Sequence, residues 1–87
     1  MKEVHLEISY LNDKFKIRRE ISKGKPTLSY TKDYDGLTTQ VLTAIDTGLV
    51  LRLGISPEAK SILGKERSEA LEILANKYNL TLTAQAP

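Results

Sequence analysis

A chain of 87 residues, 40% hydrophobic and 28% charged, has the composition of one small globular domain, with room for a single core and none for a deep cleft. It contains no cysteine, which removes disulfides and thiolate zinc sites and makes a reducing, cytoplasmic setting the natural expectation. The formal charge is only +2, but residues 13–32 hold seven of the thirteen cations against Asp13 and Glu20 alone, so the rest of the chain is net negative.

The opening MKEVHLEISY alternates instead of running apolar, so it reads as a strand over about 3–10 and not as a secretion signal. Val4, Leu6, Ile8 and Tyr10 fall on one face, with Glu3, His5, Glu7 and Ser9 on the other. In KFKIRREI, Phe15, Ile17 and Ile21 share a face with Arg19, opposite Lys14, Lys16, Arg18 and Glu20, which predicts a second strand over 14–22. Asn12 and Asp13 both tolerate positive φ and suit a two-residue turn. That turn pairs positions whose numbers sum to 25: Ile8 faces Ile17 and Tyr10 faces Phe15 on the apolar side, while Glu7 faces Arg18 and His5 faces Glu20 on the polar side.

A further two-residue turn at Lys23-Gly24 returns the chain through KPTLSYTK, predicting a third strand over 26–32 with Leu28 and Tyr30 inward and Thr27, Ser29 and Thr31 outward. Pro26 offers no ladder donor and fits an edge strand. The expectation is a three-stranded antiparallel meander with the basic strand in the centre and outer rows Glu7–Arg18–Ser29 and Ser9–Lys16–Thr31.

From residue 36 the period turns helical. Leu37, Val41, Ala44, Ile45, Gly48 and Leu49 predict a helix over 36–49, with Asp35 as N-cap and Gly54 as the stop, although GLVLRLG also reads as a short buried strand and residues 49–53 stay open between the two. SPEAKSILG predicts a helix over 57–63, with Ser56 capping, Pro57 first and Gly64 ending it. KERSEALEILANKYN predicts a helix over 66–78, with Leu71, Leu74, Ala75 and Tyr78 on one stripe, Glu66, Glu69 and Glu72 outside, and Asn79 closing it. LTLT predicts a short strand over 80–83 at the sheet edge, and residues 84–87 a frayed tail. The fold class is therefore α+β: one domain over 1–83, two or three helices on the apolar face of the sheet, and a core of Leu6, Ile8, Phe15, Ile17, Leu28, Tyr30, Val41, Ile45, Leu71, Leu74 and Leu82.

Motifs for catalysis are missing: the sequence holds no nucleophile triad and no phosphate loop. His5, the single histidine, lies on the outer face of a flat strand, where nothing positions a substrate for it. TKDYDGL resembles the start of a calcium loop at Asp33, Asp35 and Gly36, but Thr31 replaces the first acid and Leu42 the closing glutamate, so neither a metal nor another cofactor is expected. EAKSILGKERSEAL has the outline of a helix-turn-helix, yet its second helix presents three glutamates beside one arginine, which phosphates repel. The longest apolar stretch, GLVLRLGI, is too short to cross a membrane and is interrupted by Arg52.

Arg19 stands among apolar positions and calls for either solvent or a carboxylate such as Asp46. The remaining signal is the basic hairpin of Lys14, Lys16, Arg18, Lys23, Lys25 and Lys32. Cross-strand pairing accounts for Arg18 and leaves Lys14, Lys16, Lys23 and Lys25 without acids. Two partners fit it. One is nucleic acid, contacted through its phosphates by a small non-catalytic binding module. The other is an acidic protein surface, or a second copy of the chain paired at a sheet edge.

Overall fold

A computed structural model describes the backbone of residues 3–22 and 24–84, and the side chains of those residues up to Lys77. Seven elements follow in order: β1 (Glu3–Leu11), β2 (Lys14–Ile21), β3 (Thr27–Thr31), α1 (Tyr34–Asp46), β4 (Val50–Ile55), α2 (Pro57–Leu63) and α3 (Lys65–Ala84). The strands form one mixed sheet in the order β3-β2-β1-β4.

The β1–β2 hairpin follows from local chemistry. Asn12 and Asp13 take φ of 54° and 62°, the left-handed pair that a tight hairpin turn requires. Their turn sets the expected register, from Val4 opposite Ile21 to Leu11 opposite Lys14.

The meander, by contrast, is not the whole sheet. Residues 50–55 are a strand and not the end of a helix; β4 lies beside β1 in parallel, with Val4 opposite Leu51 and Ile8 opposite Ile55. Gly48, counted in sequence as part of an apolar helical stripe, instead ends α1. Its φ of 74° breaks the helix, its N–H donates to the Ile45 carbonyl at 3.0 Å, and Gly54 lies within the following strand. Asp33, not Asp35, occupies the N-cap position of α1, without a capping bond from its side chain. The sheet's two edges, β3 and β4, run in the same direction, as strands joined by a helical crossover do.

The β2–β3 register also departs from expectation. A two-residue turn at Lys23-Gly24 would pair positions summing to 47, but Ile17 pairs with Ser29 and Lys16 with Tyr30, a shift of one residue. The link spans 22–26 and is closed by the Gly24 N–H donating to the Ile21 carbonyl at 2.7 Å. A one-residue shift exchanges the faces of a strand. Thr27, Ser29 and Thr31 therefore face inward, while Leu28 and Tyr30, assigned to the core from their spacing, are 49% and 53% exposed on the outer face. At Thr31 the first turn of α1 stands against the inner face: a Cβ on Gly36 would lie 2.8 Å from the Cβ of Thr31.

α2 forms as its sequence predicts, with the Ser56 hydroxyl accepting from the Ala59 N–H at 3.2 Å and Pro57 in the first turn. α3 begins at Lys65 and runs on through residues 80–83, so LTLT is helix and not a fourth, C-terminal strand; the predicted tail's first residue, Ala84, ends that helix. The side chain of Leu82 and residues 85–87 lie outside the described residues.

All three helices pack on one face. Val4, Leu6, Ile8, Phe15, Ile17 and Leu51 from the sheet meet Leu37, Val41 and Ala44 of α1, Ala59 and Leu63 of α2, and Leu71 and Ala75 of α3, all essentially buried. Ile45 and Leu74, expected in the core, are partly buried at its margin. Arg19 sits half-buried on this inner face opposite Leu6 and Thr27, and among the described residues neither Asp46 nor any other carboxylate pairs with it. Among the described residues no helix is long and apolar enough to cross a membrane.

Candidate functional site

Because the helices take the inner face, no element among the described residues covers the outer one, and strand alternation determines what it displays. From the β3 edge inward, Tyr30 lies opposite Lys16, and Lys16 opposite Ser9; one row over, Leu28, Arg18, Glu7 and Gly54 cross all four strands. At the far end Glu20, His5 and Arg52 form a third row.

Charge is segregated along the strands. At the end away from the Asn12-Asp13 turn, acids and bases neutralise one another. Glu3 accepts from Arg52 Nη2 and contacts His5 Nε2, both at 3.2 Å, and Arg18 pairs with Glu20 of its own strand at 3.2 Å. Arg18 thus takes Glu20 and not Glu7, although Glu7 is its cross-strand neighbour. The Arg52 hydrogen bond is the largest influence on the Glu3 carboxyl and holds it below its ordinary value of 4.5.

Toward the turn end the cations lack such partners. Lys14 places Nζ 5.4 Å from the centre of the Tyr30 ring, and Lys16 makes no ion pair among the described residues. Lys32, directly after β3, is exposed and likewise unpaired among the described residues. Lys25 is exposed in the 22–26 link, a full strand length from Lys14. The six expected site residues therefore do not form one patch. Lys14, Lys16 and Lys32 gather with Tyr30, Arg18 is neutralised lower on the same face, Lys25 stands at the opposite end, and Lys23 lies outside the described residues.

Beside this cluster is a hollow of about 340 Å³ lined by Glu7, Ile8, Ser9, Lys16, Arg18, Gly54, Ile55 and Ser56. It exists because Gly54 brings no side chain to its row, and Ser56 is held at its rim by donating its N–H to the Ile8 carbonyl at 2.9 Å. Tyr30, Gly54 and Ser56 were not legible as site residues. Alternation in KPTLSYTK fits either face equally, and Gly54 reads as a helix stop. The only local cue was the length of the 22–26 link. Among the described residues no three His, Cys, Asp or Glu side chains gather as metal ligands. No protein-family model, curated protein or solved structure matches this chain.

Proposed function

We propose that this protein is a non-catalytic binding module whose open sheet face takes up nucleic acid through its phosphates. The observation that carries the reading is the position of three cations without acid partners among the described residues: Lys14 and Lys16 at the turn end of the outer sheet face, which no helix covers among the described residues, and Lys32 directly after β3 at the same end. Lysines in that setting offer point charges to a polyanion and carry no sequence information, so the binding is general and salt-dependent.

Changing Lys14, Lys16 and Lys32 together to glutamine should leave the fold intact, because none of them forms an ion pair among the described residues, and should weaken binding to oligonucleotides of any sequence. Loss of three phosphate contacts lowers the slope of log affinity against log salt by about 2 to 3. A fluorescence titration of parent and variant at several ionic strengths measures both effects, and a parent that binds no nucleic acid at low salt refutes the reading. A second reading, an acidic protein or second copy docked at the β3 edge, draws on the exposed Leu28 and Tyr30 of a strand whose outer edge has no neighbouring strand among the described residues. Concentration-dependent dimerisation, abolished by Leu28→Lys, would favour it.

A further inference from the structure

Resting on that phosphate-binding reading, we infer that the ligand is single-stranded nucleic acid, laid across the sheet so that one base stacks on Tyr30 and a neighbouring nucleotide enters the hollow over Gly54. Two independent features of the outer face point there.

The first is Tyr30. An aromatic ring 53% exposed one residue before the end of a strand, on the face away from the core, contributes little to packing. What approaches its ring is a cation, Lys14 Nζ at 5.4 Å, on a flexible exposed stem. A base can take that place over the ring while Lys14 moves to the adjoining phosphate, with Lys16 directly across the ladder as the next phosphate contact.

The second is Gly54. Glycine in a strand interior weakens the strand and usually marks a special dihedral or a close approach. Here neither is present: its φ is not positive, and a Cβ built on it meets nothing within 4 Å. What the absent side chain does is leave the floor of the hollow open, between Ser9 and Lys16 on one side and Ile55 and Ser56 on the other. Glu7 also lines the hollow and pairs with no cation among the described residues, so its carboxylate repels a phosphate and suits the amino edge of a base.

From β3 to β4 is three inter-strand spacings, about 14 Å, the reach of a few nucleotides. A duplex keeps its base faces stacked within itself and can use the lysines but not the ring. Only an unpaired strand uses lysines, ring and hollow together.

The test is fluorescence anisotropy at low salt with labelled oligonucleotides of mixed sequence, as DNA and as RNA, each single-stranded and as the matched duplex. The parent should bind the single strand at least about tenfold more tightly than the duplex, and Tyr30→Ala should weaken the single strand roughly 5- to 150-fold, the loss of one stacked base. Tyr30→Phe, which keeps the ring, should bind as the parent does. Gly54→Val, for which the fold has space, should weaken single-strand binding while its unfolding midpoint holds or rises. Equal affinity for both forms with an inert Tyr30→Ala overturns the inference and leaves the phosphate reading standing, provided the triple lysine variant still loses affinity. Parent-like binding by Gly54→Val removes the hollow from the site and overturns the path across the sheet. Failure of the parent to bind either form overturns both.

Discussion

Gly36 shows how one residue type can be set by a neighbour far from it in role. It lies in the first turn of α1, where glycine is a poor helix former by about 1 kcal/mol relative to alanine. Its Cβ, if present, would stand 2.8 Å from the Cβ of Thr31 and 3.1 Å from its Cγ2, and a β-branched side chain cannot swing clear. Gly36→Ala should therefore destabilise the protein in spite of the better helix propensity, by about 1–3 kcal/mol, the usual cost of overpacking. In a Thr31→Gly background the same change should become neutral or stabilising. Urea unfolding of the four proteins of that cycle measures the coupling, and an unchanged effect of Gly36→Ala in the two backgrounds would show that the helix start does not bear on β3.

Among the elements, β3 is the one whose orientation carries the functional reading. Its partner residue Ile17 is 1% exposed on the inner face, whereas Leu28 is 49% exposed on the outer. Ile17→Ala should cost about 2–5 kcal/mol, in the range of large-to-small core changes. Leu28→Ala should stay within about 0.5 kcal/mol of the parent, as surface changes do. Chemical denaturation separates them. A Leu28→Ala cost comparable to that of Ile17→Ala would restore the register in which Leu28 and Tyr30 point inward, and with it would remove Tyr30 from the outer face. β4 shows a related ambiguity resolved by its neighbour: VLRLGI buries Leu51 against the helices only because β1 supplies its ladder.

Across the whole molecule, β1 and β4 are joined on the outer face by Glu3 and Arg52, 49 residues apart in sequence, with Arg52 Nε and Nη2 donating to Glu3 Oε1 at 3.4 and 3.2 Å. A carboxylate held below its ordinary value by such a bond contributes stability that is fully present above its unfolded value, near 4.5, and lost as pH falls through the lower folded value. Glu3→Gln should accordingly be less stable than the parent near neutrality, and the gap should close on acidification below about pH 4.5. The pair is exposed, so salt should narrow the gap as well. Thermal unfolding across that pH range reads the effect, and a gap independent of pH would mean the Arg52 bond does not form in solution. The same pairing, with that of Arg18 and Glu20, neutralises the charges that the strands carry at this end of the face.

What the amino-acid sequence determined by itself is what short-range chemistry controls. Asn12-Asp13 permits only a tight turn, the two flanking strands agree on both faces in one register, and Ser56, Pro57 and Gly64 bracket α2 at its two ends. The tertiary structure alone decided the rest, because each remaining choice depends on a partner distant in the chain. Residues 50–55 become a strand by pairing with β1, 47 positions earlier, where an apolar run by itself serves a buried strand or a helix equally. LTLT stays helical as the continuation of α3, since extending a helix already nucleated requires no new nucleus. Tyr30 faces outward because β3 pairs with β2 in the register that turns Thr31 inward against Gly36 of α1, a contact that no alternation of apolar and polar letters contains.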